Sequence, residues 1–210
     1  MSSKPTQDTS AYDMLISPEN FRLAWERVRY FDRPDSRDWI GLKVFAANRD
    51  HNLEILRRSV VERTFEAVFP EIKYVPKPSL TLRPMAVLAI SDRIVFQAIA
   101  NVVAERSRST LMIVSNRQSF ANVLASQSQG PMFLPWKKQY RLFQDRFCKL
   151  VEEGNVWLAE TDIAAFYETI DHSLLFELLL EKHFLDDPSV EYLSLFSALF
   201  QSNREQSLPT

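Results

Sequence analysis

One stretch of the sequence, from Val156 to His172, changes from a strand pattern to a helix pattern within a few residues. Its first part alternates β-branched, aromatic and aliphatic side chains after a Gly-Asn turn, which predicts a short strand. Pleating places Glu160 and Asp162 on the same face, with Asp162 at the end of the strand. Asp171 precedes an apolar helical run, and we interpret it as the N-cap of a helix.

Asp162 is a candidate metal ligand because of its place at the end of the predicted strand. A carboxylate there is rigidly held and half out of the core. Mg²⁺ takes oxygen ligands and usually keeps only one or two protein carboxylates beside substrate phosphates. Most strand-end aspartates are turn or capping residues, however, and spacing alone favours that interpretation.

The residues from Asp162 to His172 read D-I-A-A-F-Y-E-T-I-D-H. This phrase closely resembles motif A of reverse transcriptases of the bacterial retron, group II intron and phage-defence types, where the pattern is D-I-x-x-F-[FY]-x-x-I-D-H. The resemblance implies that Asp162 is a catalytic, metal-binding aspartate, with the backbone carbonyl of Ile163 beside it at the metal and the nucleotide. It also implies that Tyr167 lies under the incoming sugar and excludes a ribose 2′-hydroxyl group by its size.

A second segment, residues 74–90, is predicted to form two short strands around a turn. Prolines at positions 76, 78 and 84 confine such strands to the edge of a sheet, because each proline removes a ladder donor. Lys77 and Arg83 on this hairpin can clamp phosphates, and arginine suits bidentate contacts. An ordinary basic edge hairpin fits the spacing equally well.

The same segment resembles the fingers of those reverse transcriptases, which carry K-P-x-G-K-x-R-P-L-G-I-P, three residues, and then D-R-x-V-x-x-A-I. The chain keeps this register at Lys77-Pro78, Arg83-Pro84 and Asp92 to Ile99. The resemblance implies that Arg83 and Lys77 contact the nucleotide triphosphate. The chain departs from the family's glycine, lysine, glycine and proline at Leu80, Thr81, Ala86 and Leu88, respectively.

Helical periodicity appears on both sides of the hairpin. Ser17 and Pro18 fit an N-cap and a first helical position, and a further helix is predicted from about residue 52 to residue 65. Ser91 or Asp92 is expected to cap the helix after the hairpin. That helix carries apolar residues around so much of its circumference that we expect burial on several sides.

A helix predicted over residues 136–153 has one apolar side and basic residues around the remainder. Its candidate RNA-binding residues are Lys137, Lys138 and Arg141. Interleaved with aromatic residues, they can follow a phosphate backbone while the rings stack on bases. A solvated helix face is an equally consistent interpretation. Arg117 lies where related enzymes hold template and nucleotide, so the resemblance implies a template or substrate contact there.

Composition sets outer limits on the class of protein. A hydrophobic share of 46% and a charged share of 25% are ordinary for a soluble globular protein. With a net charge of −2, any nucleic-acid surface must be local. Cys148 is the one cysteine, which excludes disulfide frameworks and cysteine-rich zinc sites and favours a reducing compartment. Without a signal peptide or an apolar run of spanning length, we expect a cytoplasmic protein with no membrane partner.

The predicted fold class is α+β, in the form of a right-hand polymerase fold with mostly helical fingers, an edge β-hairpin and the first palm strand. We expect a disordered N-terminus over 1–12, a helical region over 13–70, fingers over 71–154 and the start of the palm over 155–210. The last part stops before the template-gripping motif. Two-metal phosphoryl transfer needs carboxylates from a second motif. We therefore expect this chain alone to be inactive, with the palm and thumb completed by the same or a second polypeptide.

The function implied by the resemblance is RNA-directed DNA polymerisation, with Mg²⁺-dependent nucleotidyl transfer from a dNTP to a 3′-hydroxyl group. The implied partners are an RNA template, which for a phage-defence enzyme includes a structured non-coding RNA, the DNA product and dNTPs. The oligomeric state is left open, and an oligomer is compatible with the sequence. An RNA-dependent RNA polymerase is one alternative, but its motif A usually has a second aspartate where this chain has Tyr167. A non-catalytic RNA-binding or assembly module with a polymerase-like fold is another, although such a module needs neither Asp162 nor Tyr167.

Overall fold

The computed structural model describes residues 10–31, 39–68, 70–76, 82–125, 130–163, 170–182 and 184. The described helices are α1 (Ala11–Ile16), α2 (Pro18–Phe31), α3 (Trp39–Ala47), α4 (Arg49–Val61), α5 (Ile90–Val114), α6 (Trp136–Glu152) and α7 (His172–Glu181). The described strands are β1 (Glu71–Pro76) and β2 (Leu82–Val87), which form one two-stranded sheet. The structure is thus mainly helical with a small sheet, which confirms the α+β class.

The chain divides into two compact units, and the boundary falls within α5, between Val102 and Val103. In the first unit, Ser10 caps α1 by accepting a hydrogen bond from the Asp13 N–H at 3.0 Å. Ser17 separates α1 from α2, and its hydroxyl accepts the Asn20 N–H at 3.2 Å. The predicted N-cap is therefore confirmed, with proline at the first position of α2, where no N–H donor is needed.

Across the described residues, no helix combines the length and the apolar character that crossing a membrane requires.

The core of the first unit is built from apolar stripes on α2, α4 and α5. The buried side chains are Phe21, Ala24, Trp25 and Val28 of α2, Leu53, Leu56 and Val60 of α4, and Ile94, Val95, Ala98, Ile99 and Val102 of α5. Each stripe repeats at helical spacing, as the sequence predicts. The helix expected over 52–65 is present as α4 but begins and ends earlier, and α3 was not predicted.

A buried polar network joins α2 to α5 within the first unit. The side-chain oxygen of Asn101 accepts hydrogen bonds from Arg27 Nη1 at 2.6 Å and from Gln97 Nε2 at 2.8 Å. Its amide nitrogen donates to the side-chain oxygen of Asn20 at 2.9 Å, and Asn20 in turn donates to the carbonyl of Ala98 at 3.1 Å. Buried polar groups are tolerated only when they are paired in this way, so the network fixes the register of the two helices.

The prediction that Ser91 or Asp92 caps α5 is wrong, because the helix begins earlier, at Ile90. The Arg93 N–H donates to the carbonyl of Ala89 at 3.0 Å, which starts the helix before Asp92 is reached. The Asp92 carboxylate is fully buried and accepts the backbone N–H of Val68 at 2.9 Å. The Asp92 carboxylate thus binds a backbone N–H 24 residues away in the sequence instead of an N–H in the first turn of its own helix. Burial is also the main reason why the pKa of Asp92 is raised above its ordinary value of 3.8.

Replacing Asp92 with asparagine is expected to stabilise the folded state at neutral pH, since the substitution removes a buried charge but keeps an oxygen acceptor for Val68. A raised pKa means that the folded chain binds the proton before the unfolded chain does, so the native protein gains stability as pH falls towards 3.8. The difference in melting temperature between variant and native protein should therefore shrink over that range. A pH-independent difference in thermal unfolding would contradict this account.

The predicted β-hairpin is confirmed at its two strands. β1 and β2 pair antiparallel, with Glu71 opposite Val87 at one end and Pro76 opposite Leu82 at the other. β1 begins three residues earlier than expected, at Glu71. The turn between the strands lies outside the described residues. Both strands are edges of a two-stranded sheet, which is where prolines are tolerated.

In the second unit, a loop follows α5 and leads to α6. Arg108 Nη1 donates to the carbonyl of Ala125 at 2.7 Å, and an isolated bridge joins Leu124 to Phe133. The prediction for Asp171 is confirmed, because its carboxylate caps α7 by accepting the N–H groups of Ser173 and Leu174 at 2.9 and 3.1 Å.

The predicted first palm strand is wrong for this structure, since residues 155–163 have no regular secondary structure. Val156, Trp157 and Leu158 are 83%, 94% and 71% exposed. A strand needs a neighbour to pair its backbone groups, and no described segment pairs with this one. The side-chain alternation is typical of a strand, but alternation without a partner does not make one.

Candidate catalytic and nucleic-acid-binding residues

Asp162 lies on exposed, irregular backbone after α6. Its carboxylate forms no hydrogen bond or ion pair within the described part of the chain, and the Ile163 side chain beside it is 62% exposed. The carboxylate and the Ile163 carbonyl supply the oxygen donors that Mg²⁺ prefers, though fewer than its octahedral shell requires. The described residues contain no group of three or more acidic, histidine or cysteine side chains placed to hold a metal. The two donors are compatible with part of an Mg²⁺ site and fall short of a complete one.

The end of the segment from Asp162 to His172 is fixed by the start of α7. The capping bonds of Asp171 orient the chain as it enters the helix, and His172 is the first helical residue. Tyr167 and its neighbours over 164–169 lie outside the described residues, so its predicted position under the sugar stays a prediction.

The proposed triphosphate contacts belong to the first unit. Arg83 is in β2, where its backbone lies opposite Val75 of β1. This places it on the hairpin, as predicted, but its side chain is outside what the structure describes, and so is Lys77. Contact of either residue with a nucleotide therefore stays a prediction.

Arg117 lies at the tip of a tight turn after α5. The carbonyl of Val114 accepts the N–H groups of Gln118 and Ser119, each at 3.0 Å, and this closes the turn. Asn116 has a φ of 58°, a left-handed conformation that asparagine adopts more readily than most residues. Arg117 is exposed and forms no ion pair with the described residues. Its guanidinium group is thus open to an anionic partner.

The predicted basic and aromatic helix is confirmed as α6. Its exposed aromatic residues are Trp136, Tyr140, Phe143 and Phe147. Lys137, Lys138 and Arg141 are also exposed and form no ion pair within the described ranges. The Lys137 ammonium group lies 5.9 Å from the centroid of the Trp136 ring. The helix thus presents positive charge and open rings together, which is the combination that single-stranded nucleic acids bind.

One residue of α6 that sequence reasoning missed is Gln139, which is buried at 3% exposure. Neither polar atom of its side chain has a hydrogen-bond partner among the described residues. Its burial, together with the partial burial of Leu142 and Leu150, identifies the side of α6 that packs inward. A glutamine among basic neighbours gave no sequence indication of this role.

No known protein family matches the chain, and a comparison with curated proteins also found no match. The structure brings some predicted residues together: Lys137, Lys138 and Arg141 share α6, and Asp162 and Ile163 are consecutive. Arg83 belongs to the other unit. Assignment to a family therefore depends on the motif residues themselves.

Proposed function

We propose that this chain provides the fingers and the first part of the palm of an RNA-directed DNA polymerase with a right-hand fold. The observation that carries the proposal is the phrase from Asp162 to His172, which keeps every fixed position of motif A. The open carboxylate of Asp162 and the capping role of Asp171 support it. Resemblance of the hairpin segment around Arg83 to the fingers adds a second, separate match.

In the proposed reaction, the oxygen of a primer 3′-hydroxyl group attacks the α-phosphorus of a dNTP, forms a new phosphodiester bond and expels pyrophosphate. Asp162 and the Ile163 carbonyl would hold Mg²⁺, which supplies Lewis-acid stabilisation of the phosphate charge. Arg83 and Lys77 would position the triphosphate and neutralise part of its charge. Positioning and charge stabilisation are what phosphoryl transfer mainly requires from a protein.

Completion of this site calls for further carboxylates. A pair of metal ions about 4 Å apart needs acidic ligands from two motifs, and Asp162 supplies one. We therefore propose that the rest of the palm and the thumb, on the same or a second polypeptide, bring the remaining acids. The partners would be an RNA template, dNTPs and the DNA product, in a cytoplasmic complex that can be oligomeric.

The proposed biological setting is antiphage defence with a structured non-coding RNA. The altered residues Leu80, Thr81, Ala86 and Leu88 support this subtype among the reverse transcriptases.

The principal alternative is a non-catalytic RNA-binding or assembly module that keeps a polymerase-like fold. The exposed rings and unpaired cations of α6 favour it as much as they favour an enzyme. The motif A residues favour the polymerase over the binding module, because a binding module has no use for both Asp162 and Tyr167. An RNA-dependent RNA polymerase is disfavoured by tyrosine at position 167.

Primer extension on poly(rA)/oligo(dT) with Mg²⁺ and dTTP tests the proposal. The 210-residue chain and the longest product of its natural reading frame are compared. Incorporation by the longer product supports a reverse transcriptase to which this chain contributes. If neither form incorporates dTTP on this template or on RNA co-purified with the protein, while RNA binding persists, the binding-module function is favoured.

Replacing Tyr167 with alanine is expected to weaken discrimination between dNTPs and rNTPs, because the smaller residue leaves room for a 2′-hydroxyl group. Loss of about 1.4 kcal/mol of steric exclusion corresponds to a tenfold change, so rNTP incorporation relative to dNTP should rise by about tenfold or more. The measurement is the ratio of kcat/KM for UTP and dTTP. Tyr167→Phe keeps the ring and serves as the control, and an unchanged ratio in the alanine variant would contradict the role.

A further inference from the structure

The exposed rings of α6 form one continuous stripe. They occur at intervals of four, three and four residues, and at about 100° per residue they all fall within about 60° of one another around the helix axis. Trp136 is 71% exposed and Tyr140 is 53% exposed. The Tyr140 and Phe143 ring centroids are 6.1 Å apart, and Phe120 packs edge-on against Phe143 at 5.9 Å. The stripe is therefore an ordered row of open rings.

The charges of α6 are not spread evenly around this stripe. Relative to Trp136, Lys137 and Arg141 lie about 100° and 140° around the axis in one direction, whereas Arg146 and Lys149 lie about 80° and 140° around it in the other. The acidic residues of the helix, Asp145 and Glu152, lie about 180° and 160° away, so neither borders the stripe. Lys137 and Arg141 thus form a positive flank, unpaired within the described residues, along the first two turns of the rings, whereas Arg146 on the other side pairs with the Glu153 carboxylate at 3.8 Å.

We propose that the aromatic stripe of α6, with Lys137 and Arg141 as its phosphate-contacting flank, binds the unpaired nucleotides of a single-stranded nucleic acid. The proposal deepens the proposed function and rests on it for the class of ligand. Stacking needs base faces that a duplex keeps buried, so the site selects unpaired strands. The Lys137 ammonium group, 5.9 Å from the Trp136 ring centroid, is placed to meet the phosphate of a base stacked on that ring.

The angular positions around α6 distinguish Lys138 from the other two predicted RNA-binding residues, Lys137 and Arg141. Lys138 lies about 200° from Trp136, so it is on the opposite side from the rings. It contributes to the general positive field but does not contact a strand that lies on the stripe. Lys137 and Arg141 are the residues that act together with the rings.

Fluorescence anisotropy of the 210-residue chain with a labelled oligouridylate, which has no stable secondary structure, tests the proposal. A blunt RNA duplex of equal length is the comparison ligand. We expect Trp136→Ala and Tyr140→Ala each to weaken binding by about fivefold to a hundredfold, while Tyr140→Phe retains the ring and binds as the native chain does. Because these side chains are exposed, circular dichroism should show unchanged folding.

A matched pair of charge variants distinguishes a direct phosphate contact by Lys137 from general electrostatic attraction to the helix. Lys137→Gln and Lys149→Gln remove the same charge from positions about 120° apart around the axis, and Lys149 lies beyond Phe147, the last ring of the stripe. Loss of a phosphate contact on a single strand should lower the slope of log affinity against log salt by about 0.7 for Lys137→Gln. Lys149→Gln should leave that slope nearly unchanged. Equal effects of the two variants, or equal affinity for duplex and single strand, would overturn the proposal.

Two further measurements, vesicle binding and primer extension, distinguish this proposal from membrane binding and from the polymerase function. An amphipathic basic helix can also lie on an anionic membrane, so binding to phosphatidylserine-containing vesicles without binding to oligouridylate would overturn the proposal. If the complete polypeptide extends a primer but Trp136→Ala and Tyr140→Ala bind oligouridylate as tightly as the native chain, this inference alone is refuted. If the ring and charge variants weaken oligouridylate binding as expected but neither the 210-residue chain nor the complete polypeptide extends a primer, the binding role of the stripe is supported and the polymerase function is refuted.

Discussion

Under the proposed polymerase function, Asp162→Asn is expected to reduce nucleotide incorporation by at least about a hundredfold in the complete polypeptide. Asparagine has nearly the shape of aspartate but lacks the charge that holds a divalent ion beside a triphosphate. Lewis-acid stabilisation contributes several kcal/mol to phosphoryl transfer, and each 1.4 kcal/mol changes the rate about tenfold. The measurement is kcat/KM for dTTP in primer extension. The exposure of Asp162 means that no packing interaction is removed by the substitution.

Glu160→Gln is the matched control for this prediction. Glu160 lies two residues before Asp162, is also exposed, and loses the same charge in the same chemical way. We expect its incorporation rate to stay within about twofold of the native rate, because a screened surface charge contributes little. Comparable losses in both variants would indicate a general electrostatic effect and would contradict a metal-binding role for Asp162.

Most elements of the fold were predictable where the sequence carries a local pattern with marked ends. Ser17-Pro18 marks the start of α2, Asp171 marks the start of α7, and alternating residues with prolines mark the hairpin. α3 was missed because its sequence, W-I-G-L-K-V-F-A-A, has little helical periodicity and no clear cap. α3 contacts α4, but none of its described side chains is fully buried, so neither periodicity nor a buried stripe marks this helix.

The errors occurred where structure depends on distant partners. The predicted strand after Gly154 needs a neighbouring strand, and sequence alternation does not show whether one is present. Asp92 had the local features of an N-cap, but the backbone N–H of Val68, 24 residues away, competes for its carboxylate. The identity of the candidate site residues was readable from sequence, whereas the exposure of the α6 rings and the burial of Gln139 came only from three-dimensional packing.

Trp25→Ala is expected to destabilise the first unit by about 3–5 kcal/mol, the usual range when a large buried aromatic side chain is removed from a core. Trp25 is 1% exposed, and its ring stacks on Phe45 with centroids 5.2 Å apart. The cavity left by the substitution lies between α2 and α3, and backbone held by helical hydrogen bonds cannot close it fully. The measurement is urea unfolding followed by far-UV circular dichroism, which does not depend on the fluorescence of the tryptophan removed.

Two tryptophan variants make this prediction specific. Trp25→Phe keeps a ring against Phe45 and removes an indole N–H that has no hydrogen-bond partner within the described residues, so its loss should be smaller. Trp157→Ala removes the same side chain from a position that is 94% exposed, and its free energy of unfolding should change by no more than about 0.5 kcal/mol. A loss for Trp157→Ala as large as that for Trp25→Ala would contradict the exposure of the segment before Asp162. It would indicate instead that this segment packs as the strand its sequence pattern predicts.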